Sequence, residues 1–409
     1  MSIKTPFVLS TLSALTLSAV AAPWRIEWSH LTASPGVEPN SVLLGKASKK
    51  IITTGTTFGR VTDPAGDPPD VFEAVLNPKG EQLSVEQFGG AGGQYLRGAV
   101  RSCWGNETLV LTDFTKQQSE VLSRSSNGNV RWRLPFPKDT GPSTGIERDF
   151  WGNHWIATRS NTQVYSVSKI SRSGTLVWSR EATGPEKSGA PRILRRDRSG
   201  NLIMGVPVGG SKSGKVAVAC YDDAMKHQWS TMLGNQYGVS RDVTFDGSGR
   251  IFTSVVYYDD PVADWHTKLW MLSAKGEVLG CTHVKGQYFS GWRLATDKRG
   301  HVYMAGMEYG ESGRPIIIEF DPSLNEVSRF ALPGYSSVFI HSLQVSPDGK
   351  DITMAGSAYY SWLDKPTQGA ADAFVVRCHR NDTIPITLTD TYKPPIKRPG
   401  RATEEQYPW

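Results

Sequence analysis

Beyond residue 20 this chain has no long apolar run and no extended apolar stripe at helical spacing. The first absence removes a membrane-spanning helix from the rest of the chain, and the second removes helix bundles as its architecture. Cysteine is scarce, four in 409 residues, which is too few for the dense disulfide framework of small secreted scaffolds. The eight histidines form no close pair along the chain, so no zinc-ligand spacing is present. No Gly-x-Ser-x-Gly elbow marks a nucleophile. The formal net charge of +6 is dispersed from end to end. With no dense basic run interleaved with aromatics, a nucleic-acid partner is not expected.

What the sequence has in quantity is turn formers and aromatics: 41 glycines, 25 prolines and 10% Phe, Trp and Tyr. That balance points to an all-β chain of short strands joined by many turns. The N-terminus has the layout of a signal peptide, with Lys4, an apolar run from Pro6 to Val20, and the small-residue site Ala19-Val20-Ala21. Residues 1–21 are therefore expected to be removed after Ala21, leaving a secreted or periplasmic protein. Residues 383–409, with Lys393-Pro394-Pro395, read as a Pro-rich flexible tail.

Between these ends one unit recurs. Its marker is a tight turn spelled Ser102-Cys103-Trp104-Gly105-Asn106, then Asp149-Phe150-Trp151-Gly152-Asn153, and again around Gly200, Gly249, Gly300 and Gly349, 47 to 51 residues apart. Asp or Ser caps such a turn while Gly takes the positive φ that returns the chain antiparallel. A Trp recurs later in the unit at Trp132, Trp178 and Trp229, as repeated packing between neighbouring units requires. Four strands per unit at this period predict a seven-bladed β-propeller over residues 22–382, each blade buried only against its neighbours. The last unit lacks a fourth strand, whereas Trp24-Arg25-Ile26-Glu27-Trp28-Ser29-His30 carries the fourth-strand signature with nothing before it. The N-terminal strand is thus expected to complete blade 7 and close the ring.

Thr53-Thr54-Gly55 with Asp70-Val71-Phe72, and Met354-Ala355-Gly356 with Asp372-Ala373-Phe374-Val375, resemble the bacterial SBBP propeller repeats of exported and surface proteins. The likeness is crisp in the first and last copies, and the central copies depart from it. It implies a fold and a location, with no shared catalytic residues to carry over.

Two groups of residues are candidates for a site. Connections between strands one and two and between strands three and four are short. The others, such as Phe58 to Asp70, Tyr257 to Lys268 and Tyr359 to Ala371, read as long irregular loops on the opposite face. Those loops carry Tyr257, Tyr258, Trp265, His266, Tyr309, Tyr359, Tyr360 and Trp362, suited to stacking on sugars or packing on a protein. Five residues before each marker turn stand Arg97, Thr144, Arg192, Arg241, Trp292 and His341, with Arg293 beside Trp292. Rotation relates these positions, so they should form a basic and aromatic ring at the channel mouth on the long-loop face. Asp63, Asp67 and Asp70 share a loop, but their spacing matches no calcium loop.

The expectation is a monomeric, non-catalytic binding protein that needs no cofactor and does not insert into membranes. It would present its loop face to a glycan or protein partner. The rival is a lyase or hydrolase acting on an acidic glycan, with His341 or His266 as acid or base. A quinone-cofactor dehydrogenase is disfavoured, because the tryptophan-docking repeat of those enzymes is missing. One disulfide at most is expected, with Cys220 and Cys281 in adjacent blades as the pair.

Overall fold

The computed structural model describes residues 24–32, 37–47, 50–57, 70–89, 93–102, 104–113, 116, 118–136, 140–160, 165–182, 193–208, 214–259, 264–284, 289–308, 314–332, 337–362 and 365–381. Within these, backbone alone is described for the strand Val37–Ala47 and at some further strand positions, among them Trp28, Thr144, Trp265, Tyr359, Tyr360 and Trp362.

The strands form seven antiparallel sheets of four. Blade 1 begins with the strand Val37–Ala47, blade 2 with Gln94–Arg101, blade 3 with Thr140–Arg148 and blade 4 with Ile193–Arg196. Blade 5 begins with Gly238–Phe245, blade 6 with Phe289–Thr296 and blade 7 with Ser337–Val345. These first strands contact one another in succession, and that of blade 7 returns to that of blade 1. They therefore line the axis, and the chain is a seven-bladed propeller with no helix among the described residues.

Ring closure follows the expected route. Trp24–Thr32 pairs antiparallel with Lys365–Arg380 as the outermost strand of blade 7, Trp24 opposite Arg380 and Thr32 opposite Ala373. The core is divided in the same way as the sheets, because a twisted four-stranded blade can bury its faces only against the next blade. Seven apolar clusters are found among the described residues, one at each blade junction.

The repeated Trp is explained by these junctions. Trp132 of blade 2 covers Gly174 in the turn of blade 3 and donates its Nε1–H to the Arg172 carbonyl at 3.0 Å. Trp229 of blade 4 covers Gly276 of blade 5 in the same way, leaving no room for a Cβ there. Where blade 5 has Gly280 in place of the Trp, the turn it faces in blade 6 carries Leu324 at φ 67°. At these three junctions a large residue on one blade meets a small one on the next, in either order, whereas Trp178 of blade 3 shares its junction with Met225 of blade 4, itself at φ 63°. A left-handed Leu costs roughly 1–2 kcal/mol, and burial of its side chain at this junction offsets that strain.

Two sequence expectations are corrected. Cys220, Cys281 and Cys378 are free thiols, so the Cys220–Cys281 bridge is absent; Cys103 lies outside the described residues. Cys220 is buried in the junction of blades 4 and 5, while Cys281 is exposed on the outermost strand of blade 5. The supposed loops of blades 5 and 7 are hairpin extensions. Ile251–Asp259 pairs with Asp264–Leu272, and Asp351–Trp362 with Lys365–Arg380. Tyr257 in particular is fully buried, donating its hydroxyl to the Leu233 carbonyl at 2.5 Å and accepting from Trp270 Nε1 at 3.0 Å.

A titration test arises at the junction of blades 2 and 3. His154 is buried beside Thr108, its Nε2 at 3.0 Å from the hydroxyl, and burial, then nearby Arg148, lowers its pKa to about 4. The unfolded chain binds this proton near pH 6.5 and the native protein does not, so stability falls as pH drops from 6.5 towards 4. Between pH 7.5 and 5 this group alone removes about 2 kcal/mol. Glu107, raised to about 7 chiefly by burial, pulls the other way. The clean measurement is therefore a comparison of wild type with His154→Gln by urea unfolding at both pH values. The wild type should lose about 2 kcal/mol more than the variant on acidification, and parallel profiles would refute the assignment.

Candidate functional site

Residues five before the marker turn share a structural property that the sequence did not announce. In four blades each is the extra residue of a β-bulge in the innermost strand. The register skips Arg97 between Leu96 and Gly98, Arg241 between Ser240 and Asp242, Trp292 between Gly291 and Arg293, and His341 between Ile340 and Ser342. A bulge takes its residue out of the ladder and re-aims the side chain.

All four side chains lean the same way, towards the start of their strands and so towards the face reached by the connections between blades. Arg97 lies over the Tyr95 ring at 5.3 Å. Arg241 donates from Nη2 to the Tyr258 hydroxyl at 3.0 Å. Trp292 donates from Nε1 to Ser290 Oγ at 2.6 Å and stacks on Phe339 with ring centroids 4.9 Å apart. His341 Nε2 lies 3.3 Å from Ser357 Oγ. Tyr237, which is exposed, packs its ring against Tyr258 at 5.3 Å.

Beneath this layer the charges are architectural. Arg293 donates from Nε to the His341 carbonyl at 2.6 Å, and from Nη1 to the carbonyls of Trp292 at 2.8 Å and Arg241 at 3.4 Å. These are the carbonyls of three bulge residues, which the disrupted ladder leaves in need of donors. One guanidinium thus ties together the inner strands of blades 5, 6 and 7. Arg195 of blade 4 reaches Glu147 of blade 3 at 3.2 Å and Asp242 of blade 5 at 2.9 Å, and donates from Nε to the Val243 carbonyl at 3.2 Å. Asp242, 2% exposed, also accepts from Val243 N at 2.9 Å and Leu294 N at 3.0 Å.

The electrostatics follow from this crowding. Burial holds Arg293 below the ordinary arginine range; Asp242 opposes that, while the like charges of Arg195 and Arg241 add to it. Burial, then Arg293, holds His341 well below the usual histidine range, so it is neutral at pH 7. Burial raises the Glu147 carboxyl against the pull of Arg195. Around Arg293, then, Arg195 and Arg241 stand as like charges, against Asp242 and a Glu147 carboxyl that burial makes reluctant to ionise.

The structure thus brings Arg241, Trp292, Arg293 and His341 together across blades 5 to 7, with Arg97 at the equivalent bulge in blade 2. Arg192 and Tyr309 lie outside the described residues, as do Asp63 and Asp67. At Thr144, Trp265, Tyr359, Tyr360 and Trp362 only the backbone is described, all on strands. His266 stacks on the buried Tyr257 at 5.3 Å and meets His283 edge-on at 5.0 Å, on the opposite face of the strand pair from Tyr258. Asp70 is buried at the start of its strand, accepting from Gln87 at 3.1 Å. No group of three His, Cys, Asp or Glu side chains that could hold a metal is found among the described residues. Sequence reasoning missed Arg195 and Tyr237; the first stands two residues before its marker turn, where blade 3 has Glu147.

No protein-family model matches the chain, so the likeness to SBBP repeats stays a likeness of blade spelling, and no curated protein sequence matches either. Solved propellers do match in fold. Hydrazine synthase of Kuenenia stuttgartiensis aligns at TM-score 0.58 and 13% identity, over 78% of this chain and 92% of that one. An ulvan lyase from a new family of polysaccharide lyases aligns at TM-score 0.57 and 10% identity, over 84% and 94%. The WD40 domain of Toxoplasma gondii coronin aligns at TM-score 0.55 and 12% identity, over 92% and 93%. At such identities the likeness is one of fold.

Proposed function

We propose that this protein is an exported binding propeller that holds an acidic group of a glycan at the channel mouth on the face reached by the connections between blades. The observation that carries the reading is the common lean of four bulge side chains, which turns Arg97 and Arg241 towards one end of the axis, above a Trp292 buried in the core between blades 6 and 7 and a neutral His341. A bulge repeated at one position in four blades costs ladder hydrogen bonds in each of them, and re-aimed side chains are what it yields. Arg241 beside Tyr258 and the exposed Tyr237 offers both elements a uronate or sulfated sugar needs: a charge-assisted donor and a ring face. The N-terminal segment and the spelling of the outer blades support the location outside the cytoplasm.

On a glycan array the chain should select acidic glycans. Arg241→Ala should then weaken binding roughly 10- to 100-fold, the loss of a contact worth about 1.5–3 kcal/mol, with little change in melting. Equal binding by this variant, or an array without acidic hits, ends the reading.

The Arg241–Tyr258 contact favours one second reading, in which the same site is catalytic. A guanidinium that neutralises a uronate carboxylate beside a phenol able to relay a proton is a workable arrangement for β-elimination. Incubation with acidic polysaccharides separates the two, because only a lyase releases unsaturated uronate products.

A further inference from the structure

The opposite face of the disc carries a feature that the proposed site does not use. Three large aromatic side chains stand exposed at the tips of two neighbouring marker turns: Trp104 at 59%, Phe150 at 72% and Trp151 at 74%. Their ring centroids lie 6.4 Å apart for Trp104 and Phe150 and 5.5 Å for Phe150 and Trp151, so they form one patch across blades 2 and 3. The turns beneath are rigid. Asn106 N donates to Ser102 Oγ at 2.9 Å, and Asn153 donates to both Asp149 oxygens at 2.8 Å. Nothing in the turn itself requires an aromatic, since the equivalent tips read Arg198-Ser199, Gly247-Ser248, Lys298-Arg299 and Pro347-Asp348. Exposed contiguous aromatic surface of this kind marks a contact site.

We propose that this face docks on an anionic lipid surface. Both sets of short turns end on it. Among the described tips, Lys79, Arg172, Arg198, Lys275 and Lys298 are exposed cations and Arg299 is paired with Asp297 at 2.7 Å, against Asp223 and Asp348, with Glu81 and Glu277 exposed at the ends of two of the turns. Asp223 is already paired with Lys169 at 2.7 Å. Trp and Phe at turn tips beside Lys and Arg suit the headgroup level of a bilayer, where rings partition and cations meet anionic lipid. The ring planes are tilted by 53° and 82° to one another. They therefore form no flat platform for a run of sugar rings, whereas a lipid interface accepts any tilt. Docked in this way, the protein would turn its arginine-bearing channel mouth away from the membrane.

The test uses the full chain and sedimentation with vesicles of phosphatidylcholine alone or with roughly a third phosphatidylglycerol. Binding should be at least about tenfold tighter to the anionic vesicles and weaken with salt. A Trp104→Ser, Phe150→Ser, Trp151→Ser triple variant should lose at least about tenfold, with unchanged melting. The N-terminal apolar run is common to both proteins, so the difference between them reports the face. Brominated phosphatidylcholine should quench the fluorescence of the wild type more than that of Trp104→Phe, Trp151→Phe. Equal vesicle binding by the triple variant overturns the proposal, as does absence of binding to either vesicle. A triple variant that instead changes only the sedimentation coefficient of the free protein, or only its retention on an immobilised acidic polysaccharide, also overturns it and makes the face an interface between copies or a glycan contact.

Discussion

Replacing Trp24 with alanine will cost about 3–5 kcal/mol of stability, the range for truncating a buried aromatic. The side chain is 3% exposed, meets Tyr303 edge-on at 6.2 Å and carries the Arg380 guanidinium over its ring at 5.8 Å. Its Nε1–H donates to Ser328 Oγ at 3.2 Å, and that hydroxyl donates to Glu319 Oε2 at 2.9 Å. Glu319 in turn accepts from Arg380 Nη1 at 2.7 Å. One side chain from the first described strand thus fastens blade 7 to blade 6, and losing it opens a cavity while orphaning part of a buried polar network. Urea unfolding checks the figure, and a variant as stable as the wild type would mean that closure does not depend on this anchor. Removing residues 24–32 altogether should go further and cause aggregation, because Lys365–Arg380 would become a bare sheet edge.

Asp242→Ala should cost about 3 kcal/mol, for a different reason. Its carboxylate accepts from Arg195 of blade 4, from its neighbour Val243 and from Leu294 of blade 6. The substitution leaves a guanidinium and two backbone N–H groups short of an acceptor near the axis. Arg195 keeps Glu147 and some solvent, which holds the cost towards the lower end of that for breaking a buried pair. The coupled variant is the sharper test. With Arg195→Met in the same chain, the combined loss should be smaller than the sum of the two single losses, because an apolar residue needs no counter-charge. Additive losses would show that the pair is not energetically linked.

These two residues show what could be read in advance. The closing strand was legible, because it repeats a fourth-strand spelling and has no blade of its own before it, whereas the burial of Trp24 against blade 6 was not. The tie made by Asp242 was less so. Arg195 and Asp242 occupy different positions of the repeat, and they meet because the inner strands of blades 4 and 5 pack side by side. Extension of the hairpins in blades 5 and 7 was misread for a local reason. Asp259, Asp260 and Pro261 look like loop residues, and strand pairing that persists as far as Asp259 opposite Asp264 depends on partners rather than on propensity.

By itself the sequence determined the blade count, the closing strand and the tight turns, because each rests on short-range chemistry: a capping Asp or Ser, a Gly at positive φ, and a Trp recurring at one period. Only the tertiary structure decided which charged groups face a ligand and which hold the ring. A strand sends alternate side chains to opposite sides, so one inserted residue changes what each following position can reach. The bulges at Arg97, Arg241, Trp292 and His341 are such insertions. They tip Arg241 towards Tyr258 at the mouth and leave Arg293, one position further along the repeat, to bond the carbonyls that the bulges expose. Nothing in the spelling of either residue separates those fates. The register of the neighbouring strand does.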